Sequence, residues 1–532
     1  MKKIKLSLLG LAVMMALSAC TNELDVIPTD DDIHTADQFY SQPGAYKQAL
    51  TGVYGNLSLT GANGAGSSFL SGVDAGTSHY GRCLWYLQNL TADEVIWSYE
   101  NDPGSRDLQR NTWSADNPII LGMYSRLMVE VAMANEYMKQ STDAKLDSRG
   151  IAQAERADIA VYRAEARVLR ALAYYNLLDM FGKASYISED TPVNTAGPQY
   201  DEQQLFTYIE TELKEALPTL KAARSNEYGR LDKGVANMIL AKLYLNAEVY
   251  IGTPKYAEAA AKCSEIIASG YTLETNYLDN FKADNETSSE MIFTLQSDGT
   301  YTQNYGPTTV MVNGEVGSIE QNGESVGVTA AGWSGALRLR KQFVQKWEGS
   351  ANAGDMRNTI LSPGDRTIDI TDISDRDQGY VLAKFSNISS TGVRGENTNF
   401  VDTDFPLFRL ADVYLMYAEC AVRGASGTSL TQGLDYVNAL RTRAHGGATS
   451  SNIVQGQLTL DFILDERSRE LHWEAHRRQD LIRFGKFTGG SYNWAWKGNS
   501  MNGIALPAYM KLFPVPNSAL ATNPNLSQNT GY

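Results

Sequence analysis

The sequence predicts a mainly α-helical protein. Helix pairs form a tetratricopeptide-like frame, and this frame carries an irregular, loop-rich lobe with a few short strands. Three observations predict it. Apolar residues recur with a period of about 3.6 residues through 118–270 and again through 405–487. Small residues at Ala236, Ala241, Ala259 and Ala260, interleaved with Tyr244 and Tyr256, suit close packing of consecutive helices. Between these regions, Gly, Asn, Asp, Ser and Thr punctuate short runs such as Met291-Ile292-Phe293-Thr294-Leu295. A helix pair of this kind cannot bury its apolar face alone, so each stacks on its neighbours.

In chain order, the first twenty residues come before the fold. Lys2, Lys3 and Lys5 precede the apolar run Leu6 to Leu17, which is too short to span a bilayer as a stable helix. Leu17-Ser18-Ala19-Cys20 has the form of a bacterial lipobox. Residues 1–19 are expected to be a lipoprotein signal peptide, with Cys20 acylated and 20–40 a tether from the membrane. Several acyl chains on one cysteine hold a protein to a membrane where a single chain does not. Residues 41–532 are expected to form one domain.

Within it, a short helix is expected around Pro43 to Tyr54, then loop over 55–80. Arg82 to Trp97 mixes aromatic and β-branched residues and predicts extended structure on either side of a turn. Helices follow over Pro118–Ser141, Arg156–Gly182, Gln203–Leu220, Asp232–Tyr250, Pro254–Ile267, Arg409–Arg423 and Leu430–Arg443. Pro254 is read as the opening of its helix. The segments 55–115 and 271–404 make up the loop-rich lobe. Long loops on a rigid frame are where binding usually resides.

The last strong helix is expected over Leu460–Phe487, LDFILDERSRELHWEAHRRQDLIRFGKF. Glu466, Glu470 and Glu474 climb one face at four-residue steps, and like charges at that spacing repel. Arg467, Arg469, Arg477, Arg478 and Arg483 supply the balancing charge, with Glu474 and Arg478 in the favourable i,i+4 order. Arginine suits fixed, bidentate pairing. Apolar residues interrupt the charges on every turn, so the expectation is a paired network inside a packed interface rather than a solvated face.

Composition narrows the function. The chain has 532 residues, 43% hydrophobic and 20% charged, which is globular rather than disordered. A formal net charge of −15 opposes nucleic acid as a partner. Cys83, Cys263 and Cys420 are odd in number and widely spaced, which indicates neither a disulfide framework nor a zinc site. There is no nucleophile elbow, HExxH, P-loop or dinucleotide fingerprint. A glycosidase needs two carboxylates facing each other across a sugar, and nothing singles out such a pair among the 61 acidic residues. Asp93-Glu94 fits a turn or an interface better than a dyad. The expectation is therefore no enzyme activity.

Sugar rings have apolar faces and hydroxyl edges, so they call for exposed aromatics beside amides, carboxylates and arginine. Trp97-Ser98-Tyr99-Glu100-Asn101, Asn304-Tyr305-Gly306 and Gly332-Trp333-Ser334 offer these in polar loops. A lone aromatic is usually core.

Two motifs add a resemblance. Glu466-Arg467, Glu470-Leu471, Glu474, Arg477, Asp480-Leu481, Arg483 and Gly485 follow the C-terminal signature of the SusD/RagB family of glycan-binding outer-membrane lipoproteins, with Ala475 where that family usually has glycine. The tail Phe513-Pro514-Val515-Pro516 to Asn529-Thr530-Gly531-Tyr532 resembles the family's closing motif. The similarity runs over almost all of the mature chain and points to the starch-binding branch. It implies an aromatic arc of Tyr99, Tyr305 and Trp333, with Arg82, Asn101 and Asp74 bonding glucose hydroxyls. It also implies a TonB-dependent SusC-type transporter as partner, delivery of starch or maltooligosaccharides to it, and attachment at the outer-membrane surface. No cofactor is required. Calcium is the one metal the resemblance suggests, on Asp284, Glu286, Asp402 and Asp404, which do not form an EF-hand loop and read better as solvated loop carboxylates. The alternatives are a SusD-like binder of another glycan, an anchored glycosidase, or a peptide-binding helical scaffold.

Overall fold

The computed structural model describes residues 35–192, 194–316, 319, 323–329 and 336–532. The expected signal peptide, Cys20, Trp333 and most of the tether lie outside these residues. Among the described residues no helix is long and apolar enough to cross a membrane.

The helical frame forms where the periodicity places it. Its members are α1 (Ala45–Ser58), α2 (Tyr80–Trp85), α3 (Pro118–Gln140), α4 (Gln153–Phe181), α5 (Glu202–Ala216), α6 (Lys233–Leu245), α7 (Tyr256–Ile267), α8 (Leu410–Val422), α9 (Leu430–Ala444), α10 (Leu460–Leu471) and α11 (Arg477–Arg483). Local chemistry sets the ends. Asn117 accepts from the amides of Ile119 and Ile120, with Pro118 in the first turn of α3. Asp201 and Gln204 form a capping box on α5. Gly182, at φ 65°, ends α4. Pro254 lies outside α7, which begins after Lys255. Helices α3, α4 and α5 pack in sequence, and α6, α7, α8 and α9 do the same. Ala236, Ala241, Ala259 and Ala260 are all buried at these contacts, as are Cys263 and Cys420.

The loop-rich segments meet through short antiparallel strands. β1 (Val95–Trp97) pairs with β3 (Leu337–Leu339), and β2 (Met291–Leu295) pairs with β4 (Phe405–Arg409). One apolar cluster runs from Leu50 in α1 to Val515 in the tail.

Two regions differ from expectation. Arg82–Trp97 is not extended throughout. His79 caps α2 by accepting from the amides of Gly81 and Arg82, and a π turn over Tyr86–Leu90 follows before β1. Trp85, Tyr86, Leu87 and Leu90 are buried, so their aromatic and apolar character serves core packing rather than a strand.

The second is the charged helix, which breaks between Leu471 and Arg477. Trp473 (φ 64°) and Ala475 (φ 60°) are left-handed. The break leaves backbone amides without helical partners, and buried side chains take them. The Trp473 amide donates to Glu94 Oε2 at 3.2 Å and the Ala475 amide to Asn89 Oδ1 at 2.9 Å. The Glu474–Arg478 pair does not form. Glu474 turns towards Arg409 and Lys384, while Arg478 donates to the Lys511 carbonyl and lies over Phe513.

The left-handed conformation of Ala475 is one that glycine adopts freely, which fits the glycine expected there from the resemblance. A left-handed L-residue costs about 1–2 kcal/mol, and glycine gives back about 0.5–1 through its greater freedom when unfolded. Ala475→Gly is therefore expected to leave stability unchanged or raise it by up to about 1.5 kcal/mol. The same change inside a helix costs about 1 kcal/mol. Thermal melting of the variant checks this, and a loss of a full kcal/mol would contradict it.

The charge network is otherwise buried and paired, as expected, with partners drawn from across the chain. Glu470 binds Arg409 (2.7 Å), Arg357 (2.9 Å) and Arg443. Glu474 binds Arg409 (2.6 Å) and Lys384 (2.7 Å). Arg467 bridges Asp412 (2.7 Å) and Asp480 (2.8 Å), and Arg483 bridges Glu419 and Asp480. Burial alone would raise the Glu466 carboxyl, but Arg357, Arg469 and Arg441 outweigh it and hold it at about 2. Arg477 clasps Asp93 at 2.6 Å, which makes Asp93-Glu94 an interface between the early segment and α11.

Candidate glycan-binding site

Asp74, Gly76, Thr77, Arg82, Trp97, Tyr99, Asp102, Pro103 and Tyr305 line one cleft of about 440 Å³. They come from the loop before α2, from α2 itself, from β1 and its following turn, and from the loop after β2. Four of the six residues expected to contact sugar therefore meet.

Each is held by its local sequence. Arg82 is buried on α2. Its Nε and Nη2 donate to the Tyr86 hydroxyl at 2.9 and 2.7 Å, and its Nη1 donates to the Gly76 carbonyl. It thereby fixes the loop carrying Asp74, whose carboxylate accepts from the Thr77 amide at 3.0 Å. The His79 cap behind them stays neutral. Burial, then the charge of Arg126, pulls its pKa down to about 3.

Tyr99 follows β1. The Gln109 side chain pins Trp97 by bonding both its amide (2.9 Å) and its carbonyl (3.1 Å), and Arg110 pairs with Glu100 at 2.7 Å. The Trp97 indole donates to Asp102 at 2.9 Å, and its ring meets Tyr99 edge-on at 5.6 Å. Burial raises the Tyr99 hydroxyl pKa above its usual value. On the far side, Tyr305 is presented by a tight turn. Asn304 Oδ1 accepts from the Gly306 amide at 2.8 Å, and the Tyr305 amide donates to the Thr60 hydroxyl at 3.1 Å. Phe400 backs the Tyr305 ring at 5.3 Å.

Asn101 does not join them. It is exposed in the turn beside the cleft and is not one of the lining residues. Trp333 lies outside the described residues. Asp102 and Trp97 line the cleft without having been singled out as site residues. Trp97 belongs to the aromatic run that drew attention to Tyr99. Asp102 is signalled only by the turn-forming Asp102-Pro103-Gly104.

Three of the four carboxylates expected to share calcium hold separate stretches of loop backbone. Asp284 accepts from the amide and hydroxyl of Ser390, and Asp402 accepts from the Gly299 and Glu396 amides. Asp404 is buried and accepts from the Ser297 amide, with its pKa raised by burial to about 7, and Glu286 is exposed. Among the described residues no group of three or more His, Cys, Asp and Glu side chains is placed to hold a metal ion.

The starch-binding protein SusD of Bacteroides thetaiotaomicron is 33% identical to this chain, over 97% of it and 96% of that protein. The chain belongs to the SusD family. The SusD family profile itself matches residues 271–532. The fold likeness spans both loop-rich segments and the frame. A SusD homologue from B. thetaiotaomicron superposes with a TM-score of 0.70 at 21% identity, over 94% of this chain and all of that one. Surface glycan-binding protein A from B. thetaiotaomicron, solved in complex with laminarihexaose, superposes with a TM-score of 0.68 at 21% identity, over 92% and 99%.

Proposed function

We propose that this protein captures α-glucan, as starch or maltooligosaccharides, at the cell surface. It then passes the glucan to a TonB-dependent SusC-type transporter in the outer membrane. The observation that carries the reading is the convergence of Tyr99 and Tyr305, from segments some two hundred residues apart in sequence, with Arg82 and Asp74 in one cleft. The relative named for starch binding, matched over nearly its whole length, supports α-glucan as the class.

The mechanism is capture without bond cleavage. The aromatic rings stack on the apolar faces of the glucan's sugars and remove them from water. The Asp74 and Asp102 carboxylates and the Arg82 guanidinium offer directional bonds to hydroxyls. Burial raises several carboxyls, among them Glu94 to about 7, Asp404 to about 7 and Glu130 to about 8, and none of these three lines the cleft, where an acid catalyst of this site would have to be. This mechanism requires no cofactor. A glycan array probed with the soluble chain lacking residues 1–20, followed by prolonged incubation with starch and a reducing-sugar assay, tests this. Binding to α-glucans without release of reducing ends is expected. Reducing ends would mean a glycosidase, and binding to peptides alone would mean a helical scaffold.

Cys20 is the anchor in this reading. Cys20→Ala is expected to abolish both acyl labelling and membrane retention, measured by metabolic fatty-acid labelling and fractionation. A variant that stayed labelled and membrane-bound would contradict the assignment.

A further inference from the structure

The loop 371–378 packs against the strand pair beside the cleft, and two arginines clamp it. Arg338, fully buried on β3 and paired with Ile96 of β1, donates to the backbone carbonyls of Ile373 and Asp375 and to that of Gln378 at 3.2 Å. Arg366 donates to the Arg376 carbonyl at 2.7 Å and to that of Gly379 at 2.7 Å. The Gln378 side chain closes the loop by accepting from the Thr371 and Asp372 amides and donating to Asp375. Beneath it, Ile370 and Ile373 form a small apolar cluster with Ile96, and the Trp496 indole donates to the Ile370 carbonyl at 2.9 Å. So much fixed backbone in an exposed polar loop asks what the loop presents.

It presents Arg376. The Arg376 guanidinium lies over the Tyr99 ring, 4.6 Å from its centroid. Tyr99 lines the cleft, and Arg376 is not among the residues that line it. We propose that Arg376 is a positioning residue for glycan binding, holding Tyr99 at the angle at which its ring stacks on a sugar. A ring free to rotate would lose that freedom on binding, whereas a ring already held does not. The structure builds the support in series: Arg338 and Arg366 hold the loop, the loop holds Arg376, and Arg376 holds Tyr99. The last contact joins this cation–π placement to a side-chain hydrogen bond between Arg376 and Tyr99, and its expected weight is at least that of an exposed cation–π pair.

The inference rests on the α-glucan reading, and the experiment separates the two. Titration calorimetry with maltoheptaose is run on the wild type, Arg376→Ala, Tyr99→Ala and the double variant. Arg376→Ala is expected to weaken binding about two- to fivefold, the factor corresponding to a contact of this kind. In the Tyr99→Ala background it is expected to change nothing. Equal weakening in both backgrounds would make Arg376 an independent contact, and unchanged or tighter binding in Arg376→Ala would make it a bystander or a cover. Either result overturns the proposal. If the wild type ignores maltoheptaose, the α-glucan reading fails first. The positioning claim is then decided by the NMR signal of the ring-labelled Tyr99, assigned with Tyr99→Phe. That signal should shift and broaden in Arg376→Ala, and an unchanged signal overturns the claim.

Discussion

Glu474→Ala is expected to destabilise the folded chain by about 3–5 kcal/mol, the usual consequence of removing one partner from a buried ion pair. Glu474 is fully buried between Arg409, which it binds at 2.6 and 2.8 Å, and Lys384, at 2.7 Å. Removing it leaves two cations in an interior that solvates neither well. Burial already pulls the Lys384 amine down to about 8 despite its carboxylate partner. Arg409 keeps Glu290 and Glu470, so Lys384 carries most of the loss. Glu474 also sits between the two left-handed residues that break the helix, so its pairing and the backbone turn support each other. Denaturant titration is the measurement, with the exposed pair Lys47–Glu227 as control. Lys47→Ala should cost less than about 1 kcal/mol. Comparable small losses at both sites would mean that the network is dispensable.

Tyr305→Ala is expected to weaken maltooligosaccharide binding at least about tenfold. A ring of this kind at a binding hot spot is worth about 2 kcal/mol or more, and about 1.4 kcal/mol is a factor of ten. The fixed turn at Asn304–Gly306 presents the ring at no ordering cost on binding, and Phe400 supports one side of it. Its backbone bonds survive the substitution, so melting should move little. Tyr99→Ala should weaken binding less if its ring covers less of the sugar. Titration calorimetry on the wild type and both variants reads these factors. A Tyr305→Ala protein that binds as the wild type does would remove this ring from the site.

Much of the frame is legible in the sequence because periodicity reports burial directly. The small residues of α6 and α7 mark the close packing they adopt, and the alternation of charge with apolar residues in α10 marks a paired interface. Periodicity does not report backbone dihedrals. It carries the helix of α10 through His472 to Glu474, where left-handed residues and the amide acceptors Asn89 and Glu94 end it. It also does not report who pairs with whom. Arg357, Lys384, Arg409 and Arg443 approach the glutamates from distant segments, so the nearby Arg478 is an attractive wrong partner. In the site, Arg82, Asp74, Tyr99 and Tyr305 are reachable by resemblance. Asp102 and Arg376 are not, because their place depends on how a turn and a clamped loop settle against β1. Asn101 has the right chemistry and neighbours but faces solvent beside the cleft.

The central claim is that the cleft between Tyr99 and Tyr305 captures α-glucan. The most direct test is titration calorimetry of the soluble chain with maltoheptaose and, in parallel, laminarihexaose. Saturable binding of maltoheptaose, lost on combining Tyr99→Ala with Tyr305→Ala, is the predicted result. Binding of laminarihexaose alone, or α-glucan binding that survives removal of both rings, would contradict it.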